Sequence, residues 1–277
     1  MTVDVDPPMS YIPNSIIENG VTSLLRLFDE YAIEATFFVP AVVAQKFPTI
    51  MEEIVSRGHE VSCHGLEHDP REVTLSVNKQ IQVIRTATEI IESKTGFRPV
   101  GYRAALFKIT RNCWIALQKN GYVYDSSVVC SPFYGTHKIF LPAKPFRLPI
   151  PKSSENHGLL EIPVSVNPFL PFPLGGACMR IFGLRWSKIG VKSNFISKTP
   201  VVFYIHPKDV ITRTSGRVWH SYCNTANCMK MLEEIVKYAK QSGAKFLKAH
   251  ELARLCGEEF AKTCRVTTNT NSSHSRV

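Results

Sequence analysis

Short runs of β-branched and other apolar residues alternate along the chain with longer segments in which apolar residues recur every three or four positions. The short runs predict strands, and the longer segments predict amphipathic helices. The predicted strands cover 2–5, 35–39, 59–63, 100–102, 122–124, 159–164, 201–205 and 245–247, and the predicted helices cover 16–28, 49–56, 75–92, 110–120, 227–241 and 250–255. This alternation predicts a single α/β domain, a (β/α) barrel of seven or eight strands with its helices outside.

One long segment, 131–186, interrupts the alternation because prolines and glycines are dense in it. It predicts an excursion over one end of the barrel, where long loops are commonly functional. Gly175 and Gly176 would let the backbone approach a ligand, so both are candidate substrate-binding residues. The aromatic side chains of the segment either stack on sugar rings or fill the core, and both interpretations stay open; they are Phe133, Tyr134, Phe140, Phe146, Phe169, Phe172, Phe182 and Trp186.

Composition excludes several classes of protein. Hydrophobic residues make up 44% of the 277 residues, which argues against a disordered or fibrous chain. The eight cysteines include no Cys-x-x-Cys pair, so we expect buried reduced thiols rather than a disulfide framework or a cysteine zinc site. The polar segment 257–277 predicts a disordered tail after a catalytic domain of residues 1–256.

The formal charge is +10, which raises nucleic acid, anionic lipid or acidic glycan as partners. The basic residues are scattered, without a run of five, and no nucleic-acid motif accompanies them, so we expect no nucleic-acid partner. No apolar run approaches the roughly 20 residues of a transmembrane helix. No signal peptide precedes Thr2, so the expected location is cytoplasmic.

Acidic and basic residues follow the predicted strands at their carboxyl ends. They are Asp4 and Asp6 at the first strand, His64 and His68 after the third, and then Arg103, Asp125 and His206 after the strands 100–102, 122–124 and 201–205. Parallel barrels build their active sites on this face. The sequence therefore predicts that these side chains converge on one site.

Two histidines four residues apart, His64 and His68, would bring both imidazoles to one side if the segment turned helically. Together with a carboxylate they form a three-ligand metal site with open positions for water. Paired histidines also occur on solvated helix faces, but the Asp-x-Asp at a strand end favours the metal site. Alternation along the strand turns Asp4 and Asp6 to the same side, so that one can ligate the metal while the other accepts a proton.

His206 directly follows a buried strand, where it is either a core histidine or a general acid that protonates a leaving amine. Arg103 either forms a surface salt bridge or pairs with Asp4, orienting it and lowering its pKa.

Five ordered motifs resemble the polysaccharide deacetylases, carbohydrate esterase family 4, which share the NodB-homology domain. They are Thr2-Val-Asp-Val-Asp6, Ser62-Cys-His-Gly-Leu-Glu-His68, Gly101-Tyr-Arg103, Tyr124-Asp-Ser-Ser127 and Phe203-Tyr-Ile-His-Pro207. The resemblance covers residues 1 to about 256. It implies a distorted (β/α)7 barrel that removes N-acetyl groups from glycans with one divalent metal ion, usually zinc.

The resemblance also implies a role for each matching residue. Asp4 corresponds to the general base, Arg103 to the arginine that holds it, and His206 to the general acid. Asp6, His64 and His68 correspond to the metal ligands. Asp125 is a candidate substrate-binding residue.

The chain departs from the family pattern at two motifs. Ala104-Ala-Leu106 replaces the usual proline after the motif arginine, and Val128 and Val129 stand where the family has Asp-Trp. Groove shape and the role of Asp125 therefore stay open. An N-acetylated glycan and a small non-sugar amide remain alternative substrates, and a catalytically silent glycan-binding barrel is the alternative from another class.

Overall fold

Eight strands form one curled sheet in the order β6-β7-β5-β4-β3-β2-β1-β8. The computed structural model describes residues 1–8, 14–133, 143–148, 150, 158–211 and 227–258. The strands are β1 (Thr2–Asp4), β2 (Thr36–Val39), β3 (Glu60–Cys63), β4 (Gly101–Tyr102), β5 (Tyr124–Asp125), β6 (Phe146–Arg147), β7 (Leu160–Glu161) and β8 (Tyr204–Ile205). All neighbouring strands are parallel except β6 and β7, which are antiparallel.

Helices follow most of the strands and cover the outside of the sheet. They are α1 (Asn14–Glu30), α2 (Ala41–Lys46), α3 (Pro48–Ser56), α4 (Val77–Thr95), α5 (Arg111–Lys119), α6 (Gly176–Ile196), α7 (Pro207–Val210), α8 (Cys228–Gln241) and α9, residues 249–258. Local sequence sets several of their ends. Gly96 closes α4 in the left-handed conformation, and the Thr110 side chain accepts a hydrogen bond from the Cys113 N–H at the start of α5.

Alternation along each strand separates two hydrophobic clusters. Phe37 packs with the helices in the larger cluster, whereas its neighbour Phe38 lies in the smaller cluster inside the sheet. Asp4 pairs with Phe38 in the parallel register, so its side chain shares the inner side. The period of two therefore decides which polar residues at the strand ends enter the barrel.

Hydrogen bonds close the gap between the two sides of the curled sheet. Ser165 N–H donates to the Val202 carbonyl at 3.1 Å, and Tyr204 N–H donates to the Leu174 carbonyl at 3.1 Å. The predicted α/β barrel is thereby confirmed, as a distorted barrel whose eight-stranded sheet is completed by irregular segments.

Two predicted elements differ in the structure. Residues 245–247 form no strand and lead directly into α9. The segment 131–186 is not a simple excursion, because it contains β6, β7 and the first part of α6. Gly183, with φ of +83°, interrupts α6. Apolar residues lie on several faces of that helix, so its sequence lacks the one-sided pattern that revealed the others.

Some predictions fall outside the described residues: Tyr134, Phe140, Cys223, Cys264 and the tail from 259 onward. Residues 257–258 belong to α9, so the helix continues past the predicted end of the domain. Among the residues that the structure describes, six cysteines are present as free thiols. None of the described helices has the length and apolarity needed to span a bilayer.

Candidate metal and acid–base site

Asp6, His64 and His68 converge at the carboxyl ends of β1 and β3. Their potential ligand atoms all lie within 4.8 Å of one another. The Nε2 atom of His68 lies 3.1 Å from Asp6 Oδ1, and that of His64 lies 3.7 Å from the same oxygen. The structure thus brings together the three residues for which the sequence predicted a metal site.

The segment between the two histidines is a tight loop rather than the helical turn considered from their spacing. Gly65 and His68 both have positive φ, +90° and +63°. The Glu72 carboxylate accepts hydrogen bonds from the Leu66 and Glu67 N–H groups at 3.0 and 2.8 Å, which holds the loop closed. The loop places both imidazoles beside Asp6.

The hydrogen bonds around Asp6, His64 and His68, here called the triad, leave ligand atoms free to bind a cation. His64 Nδ1 lies 2.6 Å from the Arg103 carbonyl, an acceptor only, so Nδ1 carries the proton and Nε2 keeps its lone pair. Asp6 Oδ1 is buried, and among the described residues it has no partner with hydrogen-bonding geometry, although His68 Nε2 lies 3.1 Å away. A buried carboxylate oxygen without a partner is costly unless a cation binds it. Two imidazole nitrogens and one carboxylate oxygen form a donor set that suits zinc.

Asp4 and Arg103 form a buried ion pair next to this triad. Arg103 Nη1 donates to Asp4 Oδ1 at 2.6 Å, so the predicted pairing is present. The guanidinium is fully buried; it also donates to Thr2 Oγ1 and to the carbonyl and side chain of Ser126, and it lies 4.0 Å from the centre of the Phe38 ring. With its remaining donors used elsewhere, the guanidinium holds the Asp4 carboxylate in one orientation.

His206 follows β8 and lies between two carboxylates. Its Nε2 is 3.5 Å from Asp6 Oδ2, and its Nδ1 is 3.2 Å from Asp209 Oδ2. Arg180 Nη2, from α6, donates to the other oxygen of Asp209 at 2.7 Å. Burial opposes ionisation of Asp209, but the hydrogen bond and charge of His206 and the charge of Arg180 outweigh it and lower the pKa of Asp209 to about 2.

The sequence motifs did not indicate Asp209 and Arg180 as residues of the site. Asp209 also accepts a hydrogen bond from the His206 N–H and so completes a capping box at the start of α7. The pattern of a proline at the first helical position and an acid two residues later would have revealed it. Nothing in the local sequence around Arg180 points to this contact.

Lys208 is a further residue that the sequence did not single out. Its Nζ lies 2.6 Å from Asp6 Oδ2, and its side chain is 38% exposed. Lys208 and His206 are among the residues around a cavity of about 80 Å³ beside the metal triad; the others are Asp6, Pro7, Pro8, Ile16, Ile17, His68 and Pro207. A ligand in this cavity would contact an ammonium group as well as Asp6 and His68.

Asp125 does not reach the site. Its side chain is fully buried on the outer side of β5, where it accepts hydrogen bonds from Trp114 Nε1 at 2.8 Å and Ser127 Oγ at 2.5 Å. It pairs with Glu161 of β7 in the parallel register. Burial raises the pKa of Asp125, and burial together with the charge of Asp125 raises that of Glu161. The substrate-binding role predicted for Asp125 does not fit this position.

Gly175 and Gly176 are glycines because of packing. A Cβ on Gly175 would lie 2.4 Å from the Tyr204 ring, and one on Gly176 would lie 2.3 Å from Asp209 Oδ2. Both therefore lie against β8 and the residue that holds His206. The predicted role, in which they let a ligand approach the backbone, is not what this geometry requires of them.

Two family models match consecutive parts of the chain. One described as polysaccharide deacetylase matches residues 1–124, and one described as a domain of unknown function, DUF3473, matches residues 126–252. The triad, Asp4 and Arg103 lie in the first region, whereas His206, Asp209 and Arg180 lie in the second. The strands of both regions belong to the same sheet, so the candidate site needs both.

Part of the chain is similar in sequence to a known protein. The peptidoglycan deacetylase of Helicobacter pylori is 33% identical over 116 residues, which are 42% of this chain and 39% of that protein. The match therefore spans about two-fifths of the relative's length.

Two solved structures share the fold over most of the chain. One, assigned to the polysaccharide deacetylases and from Mycobacterium smegmatis, has a TM-score of 0.61 at 22% identity and covers 85% of this chain and 82% of its own. The structure of Puue allantoinase has a TM-score of 0.60 at 19% identity and covers 87% of this chain and 74% of its own. At these identities the likeness establishes the fold and leaves the substrate open.

Proposed function

We propose that the chain, whose residues 1–124 match the polysaccharide deacetylase family, is a metal-dependent hydrolase that removes acetyl groups from N-acetylated sugars in a polysaccharide. The observation that carries the proposal is the arrangement at one barrel end. A triad of metal-ligand type lies between a buried carboxylate held by arginine and a histidine held by a second carboxylate.

Asp6 Oδ1 and the Nε2 atoms of His64 and His68 would hold the metal ion, for which we propose zinc. A divalent ion bound there would lower the pKa of a water molecule to about 7 and polarise the amide carbonyl. The other residues would position groups and move protons.

Asp4 is the proposed general base, and it accepts a proton from the attacking water. Arg103 keeps the carboxylate oriented during this transfer. His206 is the proposed general acid, and it donates a proton to the amide nitrogen as the carbon–nitrogen bond breaks. One C–O bond forms and one C–N bond breaks, so the products are acetate and a free amine. Asp209 acts on His206 by holding Nδ1 and stabilising the protonated ring.

Acetate release from a panel of N-acetylated glycans and small amides, with and without chelator, tests this function. We expect release from at least one glycan, its loss with chelator, and its recovery when zinc is added. Asp4→Asn and His206→Ala should each retain the metal and lose about 10²–10⁴-fold in kcat. The double variant His64→Ala, His68→Ala should contain no metal by elemental analysis.

His250→Ala is the matched control, since His250 contacts Glu60 at the opposite end of β3 and should leave metal content unchanged. If the protein hydrolyses only small amides, its substrate is a small non-sugar amide rather than a polysaccharide. Glycan binding that survives metal removal, without acetate release from any substrate, would instead identify a silent binding barrel.

A further inference from the structure

The second part of α6, after Gly183, carries a stripe of exposed basic and apolar side chains. Arg185, Ile189, Lys192 and Ile196 follow one another at intervals of four, three and four residues, so they share one face of the helix. Ile189 is 48% exposed and Ile196 is 73% exposed. The opposite face, with Ser187, Gly190 and Val191, is buried. The helix therefore has an apolar and cationic outer face as well as a buried inner one.

All charged side chains of α6 are basic. α6 contains no acidic residue, and within the described part of the chain neither Arg185 nor Lys192 is paired with a carboxylate. Lys188 is different, because it lies 3.2 Å from Glu234 of α8. Arg185 and Lys192 are therefore the cations of the stripe that remain available to an anionic partner.

The surface next to the stripe is also unusually apolar. A row of contacting rings, Phe133, Phe172, Phe182 and Trp186, leads onto α6, with successive ring centres 5.0–5.1 Å apart. Phe169 is 80% exposed in the turn before the helix. Of the ten large hydrophobic side chains exposed among the described residues, five lie between 169 and 196. Such a concentration is typical of an interaction surface.

An apolar cavity of about 350 Å³ lies at the carboxyl end of the same helix. Val191 and Phe195 of α6 and Phe246 are among its lining residues, together with the exposed side chains of Lys198 and Lys245. Neither lysine is paired with a carboxylate of the described residues. Apolar space flanked by ammonium groups fits the acyl chain and head group of an anionic lipid.

We propose that this surface, from Phe169 to Lys198, binds peripherally to an anionic lipid bilayer. Interfacial helices combine basic side chains that reach the head groups with apolar side chains that enter the acyl boundary. A glycan could stack on the neighbouring rings, but it is a poorer fit for the stripe itself, because isoleucines offer neither flat aromatic faces nor hydrogen bonds. A symmetric contact with a second copy would bring the same two cations together, which opposes association. The proposal is independent of the proposed deacetylase function.

Sedimentation of the full chain with vesicles tests the proposal. We expect it to bind phosphatidylcholine vesicles that contain about 30% phosphatidylglycerol, but to bind pure phosphatidylcholine weakly. The stripe variant Arg185→Gln, Ile189→Ser, Lys192→Gln, Ile196→Ser should lose at least about tenfold in partitioning, because each basic residue contributes roughly fivefold. It should keep the wild-type acetate release from a short water-soluble substrate, which separates this test from that of the enzyme function.

The matched control removes the same kinds of side chain elsewhere: Lys79→Gln, Lys94→Gln, Phe97→Ser, Val123→Ser, all exposed in the structure. It should bind the vesicles as the wild type does. If the stripe variant does not fold, Arg185→Gln, Lys192→Gln alone should still weaken binding. The proposal is overturned if the wild type ignores anionic vesicles, or if stripe and control variants bind equally. If the wild type does not bind vesicles and the stripe variant loses binding to insoluble glycan, the surface binds glycan instead. If the stripe variant instead loses a dimer that the wild type forms, the surface is a contact between copies of the chain.

Discussion

Gly176 and Asp209 approach each other so closely that a Cβ atom on the glycine would lie 2.3 Å from Asp209 Oδ2. Gly176 begins α6, and Asp209 holds His206 from α7. The absence of a side chain at Gly176 is therefore what allows the carboxylate to reach His206. A packing requirement on one helix thus sets the geometry of the proposed proton donor at the start of another.

Gly176→Ala should therefore impair catalysis through His206. The added methyl group has no room beside a buried carboxylate, and overpacking of this kind typically costs about 1–3 kcal/mol. We expect a lower free energy of unfolding by urea titration and a fall in kcat of at least about tenfold, with metal content unchanged. Gly257→Ala is the control, since among the described residues its Cβ would meet only Arg147 Nη2, at 3.9 Å. Wild-type kcat in Gly176→Ala would show that Asp209 does not need this position.

Asp209→Asn should separate the charge of the residue from its hydrogen bonds. The amide oxygen can still accept from the His206 N–H, so α7 should keep its start. Loss of the negative charge disfavours the protonated imidazole, and we expect kcat to fall by about 10–100-fold. KM and metal content should stay constant. A rise in KM or a loss of metal that accounts for the fall in kcat would mean that Asp209 has only a structural role.

Lys208→Met should strengthen metal binding. The ammonium group is 2.6 Å from Asp6 Oδ2, where its positive charge opposes a divalent ion on the other oxygen. Removal of that charge should tighten zinc binding on the order of tenfold in competition with a chelating dye. The metal-free variant should be less stable than the metal-free wild type, because Asp6 loses its cation. Lys79→Met is the control, and weaker zinc binding in Lys208→Met would show that the lysine orients Asp6.

His59 should make the protein sensitive to mild acid. Burial lowers the pKa of this histidine from 6.5 to about 4. Protonation therefore favours the unfolded chain. The contribution of neutral His59 to the free energy of unfolding is fully present above pH 6.5 and falls by roughly 3 kcal/mol as the pH drops to about 4. His59→Gln keeps an acceptor for the Ala35 N–H and should lack this component in urea titrations at pH 7 and pH 5.

His250 provides a control of opposite sign for that prediction. Its hydrogen bond with Glu60 raises its pKa, so its contribution to stability is present at low pH and lost as the pH rises through the raised value. His250→Gln should therefore steepen the loss of stability on acidification. Identical pH dependence in His59→Gln and the wild type would contradict the role of His59.

The sequence alone determined the positions of six residues of the candidate site. Local patterning predicts where each strand ends, and parallel strands bring their carboxyl ends to one face. Asp4, Asp6, His64, His68, Arg103 and His206 could therefore be assigned to one cluster without coordinates. Their separation along the chain did not matter, because the regular barrel supplies the proximity.

Tertiary structure alone decided the register between neighbouring strands and the contacts that hold the strand-end residues. Asp125 lies opposite Tyr102, one position before the level of Arg103, so the alternation turns its side chain outward to Trp114 of α5. The contacts of Asp209 with Arg180 and Gly176 join helices whose relative placement no local pattern encodes. Lys208 faces Asp6 across 202 residues of chain. A local pattern fixes the period and end of an element, whereas contacts between elements depend on how side chains of distant segments fill a shared space.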